Sequence, residues 1–285
     1  MTGVAQAAVL TDGGRLHLHH GPIDIIAEGF GAPAEIGRAY GQAAARFGNI
    51  LGELVAELDV LRAPVGSMAP RVRGPVARRM VRAVWPHRGD IVTPMAAVAG
   101  AVADEVLAAM MAERNLSRAY VNNGGDIAFH LAPGQQLNAG VVANADAPAL
   151  DADVVLDHDM AVRGLATSGW RGRSLSLGIA DAVTVLARDA ATADAAATLI
   201  ANAVDVDHPA VARAPANSLR DDTDLGGRLV TVAVGPLPPV AIATALEAGA
   251  RVARSMQIRG LIAGAYLSLQ GRVATLGEIA ARVAA

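Results

Sequence analysis

The chain has 285 residues, 53% of them apolar and 18% charged, a composition too apolar for an intrinsically disordered chain. All 24 basic residues are arginine and cysteine is absent, which excludes Schiff-base and P-loop lysines, thiolate nucleophiles, cysteine-bound zinc and disulfides. The net charge of −3 argues against a general nucleic-acid binder.

The first third of the sequence predicts a hairpin followed by helices. Apolar residues up to Leu10 precede a turn signal at 11–14, and a strand-like stretch then runs to Ile26. Beyond it, apolar residues recur every three or four positions, which is typical of amphipathic helices. The predicted helices cover 33–62, 75–84 and 93–114.

In the remaining two thirds of the sequence the spacing of apolar residues changes, and the pattern favours short strands between helices. Strands are predicted over 119–121, 127–131, 136–142, 153–156, 180–187, 228–234 and twice within 258–269, and helices over 191–204, 239–256 and from Thr275 onward. The polar, Pro- and Asp-rich residues 205–227 predict a long surface loop. Helices segregated from runs of strands favour an α+β fold, and without a clean linker residues 1–285 are predicted to be a single domain, with two intertwined subdomains as a variant.

Targeting signals are weak. The N-terminal apolar run has no positively charged start and breaks at Asp12, unlike a signal peptide. The longest apolar tract, Pro94 to Met111, carries Asp104 and Glu105, whereas a spanning helix has almost no charge. We therefore expect a soluble, cytoplasmic protein.

The motif Asn-Asn-Gly-Gly-Asp at 122–126 lies between two predicted strands. Its glycine pair permits close backbone approach to a ligand, with N–H groups turned toward an anion. The same residues also form an ordinary β-turn without any ligand. The spacing alone favours the turn.

A second motif, Ala-Thr-Ser-Gly at 166–169, is followed by Arg171 and Arg173. Small hydroxyl residues beside arginines are typical of phosphate contacts, since a guanidinium can form two parallel hydrogen bonds. A Gly/Ser loop with solvated arginines fits the pattern equally well.

A third motif places Asp194 and Thr198 four residues apart in a predicted helix, and therefore on one face. A carboxylate and a hydroxyl, completed by water and phosphate, are donors that Mg²⁺ accepts. The alternative is an acidic residue that complements the helix dipole and a surface threonine.

An arginine run between Asp59 and Asp90 contains no acid. It is either a clamp for an anionic substrate or the solvated face of an amphipathic helix. Its members are Arg71, Arg73, Arg78, Arg79, Arg82 and Arg88. The histidines, among them His17 and His19, lack a carboxylate at metal-ligand spacing and give no site.

Taken in order, four segments resemble the ApbE-like superfamily, and most closely its uncharacterised subgroup rather than the FAD:protein FMN transferases themselves. They are 93–101, the turn at 122–126, the loop at 166–169, and the stretch from Ser174 through Asp194 to Asn202. The resemblance implies an α+β fold made of a duplicated T-fold-like unit, with antiparallel sheets packed with helices and a flavin-nucleotide cleft.

The resemblance also implies chemistry. In the transferases Mg²⁺ bridges the FAD pyrophosphate, and a threonine or serine of an acceptor protein attacks, releasing AMP and leaving FMN attached. The family's metal ligands match Asp194 and Thr198, with a backbone carbonyl near Ala97 and Val98. Its nucleotide-binding positions match Asn123, Gly124, Gly125, Asp126, Thr167, Ser168, Gly169 and Arg173. The implied cofactors are Mg²⁺ and FAD or a related flavin nucleotide.

Two departures distinguish this chain from the transferases. Residues 174–181 contain neither the histidine nor the proline of the family segment, and Ala99 replaces a lysine. Asp181 is the candidate to stand near the vacated catalytic position.

We therefore expect a Mg²⁺-dependent flavin-nucleotide-binding protein that transfers FMN or hydrolyses the FAD pyrophosphate. The alternative is a non-catalytic binding or accessory subunit that keeps the cleft. The expected partners are a nucleotide, an acceptor protein and a second copy of the chain, with no nucleic acid and no membrane.

Overall fold

The structure is a computed structural model that describes residues 3–11, 13–141, 152–172, 174–277 and 279–281. The chain divides into two compact units, each built from three separate segments. Unit 1 comprises Met1–Leu137, Asp157–Ala166 and Arg188–Asp194, and unit 2 comprises Asn138–Leu156, Thr167–Ala187 and Ala195–Ala285. The predicted organisation as one domain stays a prediction.

The described residues form helices and strands in mixed order. The helices are α1 (Pro33–Ala56), α2 (Leu58–Arg62), α3 (Pro75–Val84), α4 (Val98–Met111), α5 (Ala190–Ala203), α6 (Ala216–Leu219) and α7 (Pro239–Ile258). The strands are β1 (Gln6–Val9), β2 (Arg15–His20), β3 (Ile23–Gly31), β4 (Leu116–Asn123), β5 (Asp126–Leu131), β6 (Gln136–Val141), β7 (Ala152–Asp157), β8 (Gly164–Ser168), β9 (Ala182–Ala187), β10 (Val211–Pro215), β11 (Leu229–Val234), β12 (Gly264–Leu269), β13 (Arg272–Gly277) and β14 (Ala280–Ala281).

Unit 1 is an antiparallel sheet covered by helices. Its strands run in the order β1-β2-β3-β4-β5, and β5 pairs with the start of β8. In β2 and β3 buried and accessible residues alternate, so that one face of the sheet meets the core. Helix α4 packs against α1, α3, β4 and β5, and so lies at the centre of this unit.

In unit 2, β9 and β13 flank the central strand β12, and both pairings are antiparallel. Every residue of β9 and β12 is buried, as expected for strands covered on both faces. Helix α7 packs against β12 and β13. Antiparallel sheets packed with helices confirm the predicted α+β class.

Four local predictions are wrong. Two strands were expected within 258–269, whereas α7 extends to Ile258 and a single strand, β12, follows it. The terminal helix from Thr275 is instead β13, because Gln270 and Gly271 adopt positive φ in a two-residue turn that returns the chain along β12. The predicted loop 205–227 contains β10 and α6, since β10 finds its hydrogen-bonding partner in β11. The helix 33–62 breaks at Glu57 into α1 and α2.

The tract Pro94–Met111 is long and apolar enough to cross a membrane by length and composition, and half of it is buried inside unit 1. A core helix meets the same criterion. Its packing against four neighbouring elements explains the apolar composition without a bilayer.

Candidate metal and nucleotide site

Two carboxylates in unit 1 cap each other's helices. Asp104, in α4, accepts hydrogen bonds from the backbone N–H groups of Ala190 and Ala191 at 3.0 and 2.9 Å. Asp194, in α5, accepts one from the N–H of Gly100 at 3.0 Å. These N–H groups lie in the first helical turns, where no intrahelical acceptor exists. Each helix therefore supplies the N-terminal cap of the other.

The exchange of caps requires the two backbones to touch, and glycine makes this possible. A Cβ atom added at Gly100 would lie 2.2 Å from the carbonyl oxygen of Ala190. A Cβ atom at Gly164, in β8, would lie 2.1 Å from both the nitrogen of Ala190 and the carbonyl carbon of Asp189. Real side chains do not tolerate such distances, so both positions need glycine for close approach.

Both carboxyl groups have raised pKa values. Burial raises the pKa of Asp194 to about 7, against the N–H groups of Gly100 and Ala99, which favour the ionised form, while the charge of Asp104 adds to the rise. Burial likewise raises the pKa of Asp104 to about 6, and the charge of Asp189 adds to it. A bound cation would offset the cost of ionising Asp194.

Asp194 and Thr198 carry oxygen donors of the kind that a hard cation accepts, and the metal site stays a prediction. Asp194 is only partly buried, and Thr198, also partly buried, follows four residues later in the same helix. Within the described residues no group of three or more His, Asp or Glu side chains can hold a metal ion. A cation at Asp194 would therefore depend on hydroxyl, carbonyl, water and phosphate oxygens, which is the donor set that Mg²⁺ accepts.

The motif at 122–126 forms the tight turn between β4 and β5. Asn123 pairs with Asp126 across the hairpin, and the two residues between them, Gly124 and Gly125, have φ values of 68° and 108°. The side-chain amide of Asn123 donates to the carbonyl of Ala99 at 3.1 Å. The turn is therefore attached to the first turn of α4, which the carboxylate of α5 also meets. Nucleotide binding by these residues stays a prediction.

The second predicted loop lies in unit 2, at the end of β8. The hydroxyl groups of Thr167 and Thr184 are 2.9 Å apart and share a hydrogen bond. Thr167 and Ser168 are both partly buried, and Gly169 follows them at the end of the strand. Arg173 lies outside the described residues. The predicted phosphate or ring contacts of this loop remain untested.

Asp181 is tied into unit 2 by three donors. Its Oδ1 atom accepts hydrogen bonds from the Trp170 indole and from Nε of Arg171, both at 3.2 Å, and its Oδ2 atom accepts the N–H of Gln270 at 2.6 Å. A Cβ atom at Gly169 would lie 2.4 Å from the carbonyl oxygen of Asp181. The carboxylate thus anchors two loops, a structural role that its sequence position did not indicate, and its predicted catalytic role stays a prediction.

The arginine run divides between a partly buried ion-pair network and the surface. Arg79 and Arg46 both donate to Glu105, at 3.0 and 2.9 Å, and although burial opposes the shift, these bonds lower the pKa of Glu105. Other members of the run are exposed: Arg71, Arg73, Arg78, Arg82 and Arg88. Arg79 is therefore committed to an ion-pair network rather than to an anionic ligand.

Sequence reasoning missed the partners of two acidic residues, one within a hairpin and one between helices that are distant along the chain. Asp24 lies opposite His19 in the β2–β3 hairpin and accepts hydrogen bonds from His17 and His19 at 3.3 and 3.1 Å. The hairpin register was the signal that would have placed it there. Asp104 had only been noted as a charge that disfavours a membrane span, and its acidic side chain in an alanine-rich helix was the available signal.

Comparisons with known proteins identify relatives. A family model described as AbpE bacteria matches residues 7–275. A UPF0280 protein of Methanosphaerula palustris is 38% identical over 178 residues, which are 60% of this chain and 70% of the relative. A UPF0280 protein of Methanothrix thermoacetophila is 38% identical over 136 residues, which are 47% of this chain and 54% of the relative. The chain thus spans only about half the length of the latter.

A solved structure is also similar, the apo form of Pseudomonas stutzeri flavinyl transferase ApbE. The superposition covers 98% of this chain and 94% of that chain, with 15% identity and a TM-score of 0.43.

Proposed function

Because the chain belongs to the AbpE bacteria family, we propose that it is a Mg²⁺-dependent flavin-nucleotide-binding protein. In this proposal it either transfers FMN from FAD to an acceptor protein or hydrolyses the FAD pyrophosphate to FMN and AMP. One observation carries the proposal: the Asp194 carboxylate, held by the N–H of Gly100, is only partly buried and sits where ionisation is costly without a cation.

In the proposal, Asp194 and Thr198 hold the ion together with a backbone carbonyl near Ala97 and Val98. When bound, Mg²⁺ supplies Lewis-acid polarisation of phosphoryl oxygens, worth several kcal/mol in other enzymes. The N–H of Gly100 holds the Oδ2 atom of the Asp194 carboxylate at 3.0 Å, and the carboxylate would offer its remaining lone pairs to the ion. The hydroxyl of Thr198 would be a neutral ligand. It would not offset the positive charge of the ion, which would therefore still attract a phosphate.

The nucleotide in this proposal is bound by the hairpin turn at 123–126 and by the loop of Thr167, Ser168, Gly169 and Arg173. A nucleotide-binding role of the hairpin turn is supported by its position. The side chain of Asn123 attaches the hairpin to Ala99 at the start of α4, next to the Gly100 N–H that binds the carboxylate of Asp194. Gly124 is exposed and Gly125 is partly so, which leaves their backbone accessible. We further propose that the protein acts in the cytoplasm, which the half-buried tract Pro94–Met111 supports.

The test is incubation of the full chain with FAD and Mg²⁺, with and without acceptor proteins, followed by chromatography for AMP and FMN. We expect AMP release that EDTA abolishes and that Asp194→Asn lowers at least 100-fold, since a metal ligand is lost. Glu57→Gln is the matched control, because Glu57 also accepts two backbone N–H groups beside a helix N-terminus, at Arg73 and Gly74. Metal-independent AMP release, or none with any acceptor, would contradict the catalytic proposal.

A second candidate is a non-catalytic binding or accessory subunit. The observation that favours it is Asp181, whose two carboxylate oxygens are already engaged by three donors, while Ala99 supplies no cation. Calorimetry with FAD and with FMN distinguishes the two. Tight binding that Asp194→Ala leaves unchanged, without turnover, supports the accessory subunit; Mg²⁺-dependent binding that this variant abolishes supports the metal site.

A further inference from the structure

The first turn of α5 has no N–H group left for a ligand. Ala190 and Ala191 donate to Asp104, Thr192 donates to the side chain of Asp189 at 2.7 Å, and Ala193 donates to the Asp189 carbonyl at 3.1 Å. A helix N-terminus normally attracts anions through these groups. Here three of the four groups are satisfied by carboxylates and the fourth by a backbone carbonyl, so the helix N-terminus is not an anion site and α5 itself is what the arrangement holds in place.

What α5 carries one turn later is Asp194. The N–H groups that Asp104 accepts belong to residues three and four positions before Asp194, within one rigid helical turn. Asp194 in turn accepts the N–H of Gly100, four residues before Asp104 in α4. The hydrogen bonds thus close a loop between the two helices: Asp104 to the start of α5, Asp194 to the start of α4. We call this loop the carboxylate clasp.

We propose that Asp104 is a positioning residue, which acts through the carboxylate clasp to hold Asp194 against the N–H groups of Ala99 and Gly100. The link to metal binding rests on the proposed function, because it takes Asp194 as the ligand. Asp104 contacts neither metal nor nucleotide in this inference. It fixes where the first turn of α5 lies along α4, and the direction of the Asp194 carboxylate follows.

Close contacts and hydrogen bonds restrict how far α5 can move relative to α4. At Gly100 and Gly164 the backbones meet so closely that α5 cannot approach further, and the two hydrogen bonds to Asp104 prevent it from withdrawing. Asp189 caps α5 as well, but only through residues of α5 itself, so it stabilises the helix without locating it on α4. Asp104 is the capping side chain that reaches α5 from α4.

The test measures backbone amide hydrogen exchange by NMR in the full-length Asp104→Asn variant without metal. An asparagine carbonyl accepts these bonds more weakly than a carboxylate, so exchange at Ala190 and Ala191 should rise. If Asp104 positions Asp194, exchange at Ala99 and Gly100 should rise too, about 10-fold or more, although the substituted side chain would not touch them. Amides of β4, which is paired with a strand on each side, serve as the reference for any global loss of stability.

Glu57→Gln is the control, because it weakens another two-amide cap and should change exchange at Arg73 and Gly74 only. Unchanged exchange at Ala99 and Gly100 in Asp104→Asn, with Ala190 and Ala191 loosened, would overturn the inference, since Asp104 would then be a local cap. If Asp104→Asn does not fold, Asp104→Glu, which keeps the charge and displaces it by one methylene, is read at the same four amides.

A second readout connects the clasp to the ion. Mg²⁺ alone is titrated by calorimetry, and we expect the dissociation constant to rise 10- to 100-fold in Asp104→Asn and to stay within about two-fold in Glu57→Gln. Equal Mg²⁺ affinity in the wild type and Asp104→Asn would overturn the positioning role. Absence of Mg²⁺ binding in the wild type would refute the proposed function instead, and the exchange experiment alone would then decide on the clasp.

Discussion

Gly100→Ala tests whether α4 and α5 must touch. In most exposed helix interiors this change stabilises a protein, because alanine has the higher helix propensity. Here the new Cβ atom would lie 2.2 Å from the Ala190 carbonyl oxygen, 2.5 Å from its carbon and 2.8 Å from the nitrogen of Ala191. These are backbone atoms, which cannot rotate away as a side chain can, so the helices must separate.

The cost follows from the hydrogen bonds that separation breaks. Ordinary contact begins at 3.4 Å, so the Cβ–oxygen distance must grow by 3.4 − 2.2 = 1.2 Å. The three capping hydrogen bonds, now 2.9 to 3.0 Å long, would then exceed the usual limit. Each bond to a charged group is worth about 1.5–3 kcal/mol, so loss of even two of the three costs about 3–6 kcal/mol, and alanine returns about 1 kcal/mol. We expect a net loss of about 2–5 kcal/mol.

Urea unfolding followed by circular dichroism measures this difference. Gly48→Ala is the matched control, because Gly48 lies in an exposed part of α1 where an added Cβ meets nothing within 4 Å. That variant should gain about 0.5–1 kcal/mol. If Gly100→Ala proves as stable as the wild type, or gains stability like the control, the close approach of α4 and α5 is refuted and the carboxylate clasp with it.

Two further predictions concern titration and the turn. In EDTA, the stability that the wild type holds over Asp104→Asn should shrink by about 2–3 kcal/mol as the pH rises from 4 to 7, because the pKa of Asp104 is about 6 in the folded state and near 3.8 when unfolded. The folded state then binds more protons in this window, so stability decreases with pH; urea midpoints at four pH values check this, and a constant difference would contradict it. Gly125→Ala should cost about 1–2 kcal/mol in thermal unfolding through backbone strain alone, since φ is 108° while the added Cβ meets no atom within 4 Å. A neutral result would mean that the turn changes its conformation.

Elements with a clear local signal were predicted well. The apolar spacing in α1, the proline that begins α3 and the glycine turn between β4 and β5 each depend on neighbours within a few residues. The failures have a common cause. In β10 and β13 the local sequence is permissive, and the partner strand decides the conformation.

For the site, sequence reasoning selected the residues but not their partners. The Asn-Gly-Gly-Asp turn and the Asp-x-x-x-Thr spacing could be read from adjacent positions, and the family was correctly identified from their order. Asp181 was selected because the chain departs from the family motif in that segment. One of the donors that bind its carboxylate is the N–H of Gln270, 89 residues away. Hydrogen-bond partners at such separations leave no periodic trace in a single sequence.

By itself the sequence determined composition, the α+β class, the helical face shared by Asp194 and Thr198, and the chemistry excluded by the absence of lysine and cysteine. Only the tertiary structure decided that Asp104 and Asp194, 90 residues apart, cap each other's helices and that Gly100 must be glycine for them to do so. The physical reason is range: periodicity and turn preference act within one turn of chain, whereas burial, capping and backbone contact arise when distant segments meet.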